Sequence, residues 1–404
     1  MGPVLWPEES RYIPAFDGVR AIAVLLVIWR HTVPLFGMGR LPPEYLGPVS
    51  VYARAGWVGV DVFFTLSGFL ITGILLRTLG EPGYFRSFYI RRFLRIFPLY
   101  YGLITLVILS RVLGGGELVD PAWSYYTYLS NFFVGRSPRD DVALDISWSL
   151  SVEEQFYLVW PAFVAVVGSR GMRPLLGAIV AICLLGPVVR WGVFDPATSA
   201  AYFDTWSRID SLAIGALGAT LWQARVEWAV RGARLLAVPA TVGLLVLVWM
   251  LGTGAIGPRS LEFLVPGLSA IALGVTVVLL ALASGGLPRV AAVLGSAPFA
   301  HVGRVSYGVY LLHPIVLGLW MRLWPRLPLP PAAESRPVAL LLYILPPLVS
   351  VGVATLVFRT IEAPLLAQKD RLAPYAGLSP RSAPSAGVDE PRAPKSPGHG
   401  NLIE

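Results

Sequence analysis

The sequence predicts an all-α polytopic membrane protein with about ten transmembrane helices, and three observations predict it. Hydrophobic residues make up 55% of the chain. Charged residues make up 14%, where soluble domains carry roughly 25%. Apolar stretches close to the ~20 residues that cross a bilayer recur along nearly the whole chain, with charges collected between them. That composition excludes a cytosolic enzyme, a nucleic-acid binder and a secreted disulfide scaffold. The formal charge of +8 does not reopen nucleic acid, because the basic residues are scattered between apolar segments as topology signals are. Cys183 is the single cysteine and lies in an apolar run, which excludes internal disulfides and a cysteine-rich metal site.

The first span, 19–37, follows a polar start with Glu8, Glu9 and Arg11. That start has no secretory h-region or cleavage site, so the span is expected to stay in the mature protein. Spans at 57–76 and 94–112 flank the arginine-rich YIRRFLR. The fourth, 148–168, comes after the longest polar connection, Gly114 to Ile146, which is expected to form a lid or acceptor-side surface. Spans at 173–190, 209–224, 235–252, 263–283, 303–323 and 338–358 complete the set. An even number of spans returns both termini to one side. That side holds the larger share of arginine, so both termini are expected in the cytoplasm and the protein in the inner or plasma membrane. After Leu366 the chain turns rich in Pro, Ala, Ser and Gly, giving a membrane domain at 1–366 and a disordered cytoplasmic tail at 367–404.

Ionisable residues inside spans are expensive and each is a functional hypothesis. Arg20 and His31 lie eleven residues apart in the first span, which is about 16 Å of rise and close to three whole turns. They share one face, one toward each side of the membrane. For His31 two readings stand, a packing histidine and a general base. Asp61 enters the second span from the opposite side, where it could orient His31 or pair with Arg30. Glu153 and Glu154 near the start of the fourth span, with Arg208 and Asp210 in the sixth, are expected at the same outer depth, together outlining a polar cavity. At the other pole Arg91, Arg92 and Arg95 approach the third span. Their forks suit the phosphates of a donor, and plain topogenesis is the competing reading. His313 precedes Pro314 in the ninth span, where a structural role at a kink competes with a secondary catalytic one. No phosphate loop, metal-ligand spacing or nucleophile elbow occurs, so no metal and no permanently bound cofactor is expected.

In order along the chain, FDGVRAIAVLLVIWRH, GVDVFFTLSGFLIT, YIRRFLRIFPLYY, YLSNFF, SWSLSVEEQFYLVWP, RIDSLAIGALGA, SYGVYLLHP and FRTIEAPL resemble the acyltransferase-3 family of integral membrane O-acyltransferases over roughly residues 11–366. The family's first-span arginine and histidine fall on Arg20 and His31, its R-x-x-R motif on Arg92 and Arg95 with Arg91 adjacent, and its paired glutamates on Glu153 and Glu154. The resemblance implies transfer of an acyl group, usually acetyl, from cytoplasmic acyl-CoA to a hydroxyl of a carbohydrate or glycosylated acceptor. A cell-envelope glycan and a macrolide-type product are both open. Arg20, Arg91, Arg92 and Arg95 would hold the acyl-CoA. His31 would act as base beside a carboxylate from Asp61, Glu153 or Asp210. Some relatives carry an additional esterase-like domain, and this chain is expected to work without one of its own. A transporter or flippase remains the reading from another class, as does a non-catalytic sensor, which would tolerate loss of His31.

Overall fold

The computed structural model describes residues 12–35, 50–115, 121–134, 142–192, 200–257, 260–328 and 335–373. Among them are ten long helices: α1 Pro14–Leu35, α2 Val58–Thr78, α3 Tyr84–Leu113, α4 Ser147–Gly168, α5 Met172–Gly192, α6 Thr205–Gln223, α7 Glu227–Thr253, α8 Leu261–Ala283, α9 Ala297–Leu323 and α10 Arg336–Val357. No strand occurs among the described residues. Eight of the helical segments are long and apolar enough to cross a membrane by themselves. The two long helices outside that set are α1 and α6, which carry Arg20, Arg30 and His31, and Arg208 and Asp210. The chain is an all-α, multi-pass membrane protein, as its composition requires.

The surface agrees with a hydrocarbon surround. Leu109, Leu158, Val188, Val242, Leu348 and Leu356 all stand exposed on outward faces, a distribution that water would punish and lipid solvates. Inside, α1 lies between α2 and α9, α6 packs on α2, α5 and α8, α7 lies along α8, and α10 on α9. The α2–α6 crossing is close enough that a Cβ at Gly68 would run into the Leu212 carbonyl, and one at Gly215 into the Thr65 carbonyl. Reciprocal small residues of this kind let membrane helices pack backbone to backbone.

The helix α3 begins at Tyr84, ten residues before the expected span. Arg91, Arg92 and Arg95 depress the hydropathy there, but arginine is a good helix former, so the helix runs straight through them. The 121–134 part of the long connection does not stand off as a free flap. Tyr100 donates its hydroxyl to the Tyr125 carbonyl at 2.8 Å and Gln155 donates to the Tyr128 carbonyl at 2.7 Å. Tyr128, at φ 54°, is stacked on Tyr100 with ring centroids 4.5 Å apart. The acidic residues Glu117, Asp120, Asp140 and Asp141 lie outside the described residues. At the far end α10 continues through a π-helical turn, Phe358–Glu362, and a further helical turn, Lys369–Leu372. That last turn falls where the tail was expected to begin, and residues 374–404 lie outside the described residues.

Candidate functional site

A cavity of about 100 Å3 opens between α1, α2, α3, α4 and α9. Its basic wall is Arg20 from α1 with Arg92 and Arg95 from α3. The i, i+3 spacing puts Arg92 and Arg95 on one helix face. Arg20 is held by Asp17 at 2.7 Å, and Asp17 also accepts from the Tyr12 hydroxyl at 2.5 Å. The Arg92 guanidinium lies over the rings of Tyr157, 5.4 Å from its centroid, and Phe88, at 5.8 Å. Neither Arg92 nor Arg95 donates a hydrogen bond to another described residue, so their N–H groups remain available to whatever enters the cavity. A planar guanidinium left in that state is suited to a phosphate or carboxylate.

Arg91 does not belong to this wall. It points away and is tied to Asp370 at 2.7 Å and to the Ala373 carbonyl at 2.8 Å, so the expected arginine cluster divides into two cavity residues and one that fastens the terminal helical turn. Glu153 also departs from the expected arrangement. It lines the cavity with the arginines, accepting from the Ser67 hydroxyl at 2.8 Å, while Tyr157 donates to the same Ser67 oxygen at 3.1 Å. Its neighbour Glu154 lies beside Tyr100, Tyr101 and Tyr128, with a buried oxygen that has no hydrogen-bond partner.

Asp61 and Asp210 were expected to orient His31 or to line its cavity. The structure gives each a different partner. Asp61, fully buried, is bound by Arg208 at 2.5 Å. The Arg208 guanidinium is boxed by the rings of Tyr202, Phe64 and Trp148 at 4.8, 5.4 and 5.8 Å. Asp210 takes a two-pronged pair from Arg190 at 2.8 and 2.9 Å and a third bond from Ser269 at 2.5 Å. Gly186 makes room for it, since a Cβ there would meet the Asp210 carboxylate at 2.5 Å. A bare charge at this depth is prohibitive, so a carboxylate with an arginine in reach is claimed by it.

The group beside His31 is another histidine. His313 Nε2 lies 3.2 Å from His31 Nδ1, with ring centroids 5.0 Å apart. His31 Nδ1 also lies 2.9 Å from the Val27 carbonyl. His31 is half-buried and His313 wholly buried. His31 is not part of the cavity wall. Tyr310 is, and its ring lies 5.9 Å from that of His313 and 6.2 Å from that of Phe63, joining the cavity wall to the histidine pair. The Tyr310 hydroxyl is fixed by Ser149 at 2.6 Å and the Ile146 carbonyl at 3.0 Å.

Several cavity residues escape a reading by charge alone. Ser67, Ser149, Tyr157, Tyr307 and Tyr310 are uncharged, yet Tyr307, Tyr310 and His313 recur every third residue along one side of α9. That spacing was the available signal. The other is Glu362 in FRTIEAPL, delivered by the π-turn close enough to Arg95 for their charges to interact, with one oxygen lacking a hydrogen-bond partner.

Comparison with known proteins agrees with this architecture. The chain is 30% identical over 329 residues to the peptidoglycan O-acetyltransferase OatA of Listeria monocytogenes, a match covering 76% of this chain and 50% of that protein. It is 35% identical over 238 residues to a candidate peptidoglycan O-acetyltransferase, YrhL, of Bacillus subtilis, covering 53% of this chain and 34% of that one. A candidate O-acetyltransferase of Staphylococcus aureus is 31% identical over 234 residues, covering 53% and 36%. The chain thus spans half or less of the length of these relatives. No solved structure matches. The profile of one family, described as an acyltransferase domain, covers residues 13–358, and the chain therefore belongs to the acyltransferase-3 family.

Proposed function

We propose that this protein moves an acetyl group from cytoplasmic acetyl-CoA to a hydroxyl of a cell-envelope carbohydrate. The observation that carries the reading is the cavity wall of Arg20, Arg92 and Arg95, the last two with no hydrogen bond to a described residue, in the same membrane domain as a histidine pair. The arginines would grip the phosphates of the donor at the cytoplasmic end, with both termini on that side and the chain in the inner or plasma membrane. The pantetheine arm would run up the Arg20 to His31 face of α1, about 16 Å along the axis. His31 Nε2 takes the proton of the acceptor hydroxyl as its oxygen attacks the thioester carbonyl. The C–O bond forms, the C–S bond breaks, and the proton passes to the leaving thiolate. The names of the relatives support a peptidoglycan-type acceptor. Glu153, hydrogen-bonded to Ser67 beside the arginines, offsets their charge and leaves the wall with a net attraction for anions.

The test is acetyl-CoA turnover by the purified chain with soluble peptidoglycan fragments as acceptor. His31→Ala is expected to lose at least about 10²-fold in kcat. Arg92→Ala is expected to raise the KM for acetyl-CoA at least about tenfold, the loss of one charge-assisted hydrogen bond. Normal turnover by a folded His31→Ala would overturn the assignment.

A further inference from the structure

We propose that His313 is a positioning residue for His31: it fixes the tautomer that leaves His31 Nε2 as a bare lone pair, and it holds the imidazolium that forms when Nε2 takes a proton. The proposal rests on the reading of His31 as the general base. It begins from two carbonyl groups, which can only accept hydrogen bonds. His313 Nδ1 lies 2.6 Å from the Tyr310 carbonyl oxygen and 3.2 Å from that of Val309. That nitrogen therefore carries the ring proton and donates. A neutral imidazole with its proton on Nδ1 has its lone pair on Nε2, and His313 Nε2 is the atom that faces His31 Nδ1 at 3.2 Å.

The same logic then fixes the second ring. His31 Nδ1 faces the Val27 carbonyl at 2.9 Å as well as the His313 lone pair. Both neighbours accept, so His31 Nδ1 must be the donor and its hydrogen is shared between them. The opposite tautomer would bring three lone pairs together at these distances beside a wholly buried ring. His31 Nε2 is left without a proton, and no described residue donates to it. The backbone of α9 thus sets the protonation pattern of a side chain on α1 through one intervening ring.

His313 also suits the charged state. Once Nε2 is protonated, the positive His31 ring still donates from Nδ1 to an imidazole lone pair and a carbonyl, and a hydrogen bond from a charged donor is about twice as strong as a neutral one. His313 can do this while staying neutral, whereas a carboxylate in its place would bury a permanent charge that needs its own counterion. The aspartates available at this depth are both engaged with arginines. The ring is in addition wholly buried and packed against Tyr310, whose hydroxyl is bonded at both sides, so its orientation is held from two directions.

The competing role is purely structural, with His313 serving the backbone before Pro314. The two are separated by measuring turnover of acetyl-CoA and peptidoglycan fragments by full-length wild type, His31→Ala, His313→Ala and His313→Gln, alongside 15N NMR of histidine-labelled protein, which contains four histidines. His313→Ala is expected to lower kcat about 10²-fold with donor KM unchanged within about twofold. His313→Gln, whose amide oxygen can occupy the Nε2 position and accept, is expected to regain at least about tenfold. The wild-type spectrum is expected to show His31 as the Nδ1–H tautomer, and His313→Ala to show a mixture. Unchanged kcat in His313→Ala beside an inactive His31→Ala would sink the proposal alone, and so would a loss confined to KM or a wild-type His31 protonated on Nε2. Full turnover by His31→Ala would sink the base reading and the proposal with it. Should His313→Ala fail to fold, His313→Gln and the wild-type spectrum decide.

Discussion

Asp61 and Arg208 show how a charge survives at this depth: each side chain is fully excluded from solvent, and each is the other's partner at 2.5 Å. Removing one member leaves a bare charge, so Asp61→Ala or Arg208→Ala is expected to cost about 3–5 kcal/mol, read as loss of folded, monodisperse protein and a lowered unfolding temperature in detergent. Replacing both, as Asp61→Leu with Arg208→Met, is expected to recover most of that loss. Arg91 and Arg92 make a second contrast. Arg91 is satisfied by Asp370 and the Ala373 carbonyl while Arg92 faces the cavity. Arg91→Ala should therefore change donor KM less than about threefold, against about tenfold or more for Arg92→Ala. Adjacent arginines in a sequence look alike until a helix assigns them faces. The eleven-residue and three-residue spacings made it legible that Arg20, Arg92 and Arg95 could converge. The partner of Asp61 was not legible, because it is 147 residues away and depends on how α6 meets α2.

At the scale of elements, bilayer thickness made most of the fold readable. A span must supply apolar length, and the ten stretches in the sequence coincide with ten long helices among the described residues, eight of them in segments apolar enough to cross by themselves. The boundary that moved furthest is the start of α3, where hydropathy and helix propensity disagree over YIRRFLR and propensity prevails. Helix contacts were less visible, since they turn on small residues. Gly68→Leu or Gly215→Leu is expected to wedge α2 from α6 and abolish the monodisperse fold, whereas Gly102→Ala on α3, where a Cβ meets nothing, should leave unfolding temperature unchanged or slightly raised. Size-exclusion profile and thermal unfolding check both. The pairing of His31 with His313 had a trace in the three-residue recurrence along α9, but Pro314 next to it favoured a kink, and α9 continues as a helix through that proline.

The whole molecule brings charges together from different helices, one pair 147 residues apart in the chain and another 20. The helix α6 falls outside the set apolar enough to cross a membrane alone. An Arg or Asp at a helix centre costs about 2.5–3.5 kcal/mol on insertion, less toward the ends. Its Arg208 is matched by Asp61 on α2 and its Asp210 by Arg190 on α5. Both partners are synthesised before α6 leaves the ribosome, so the polypeptide meets this charged segment only after the groups that neutralise it are in place. Integration of α6 then depends on chain already made. A nascent chain cut after Gln223 should integrate α6, as scored by glycosylation tags placed at either end. The same chain with Asp61→Leu and Arg190→Leu should leave it outside the bilayer. The order of helices in the sequence thereby doubles as an order of assembly.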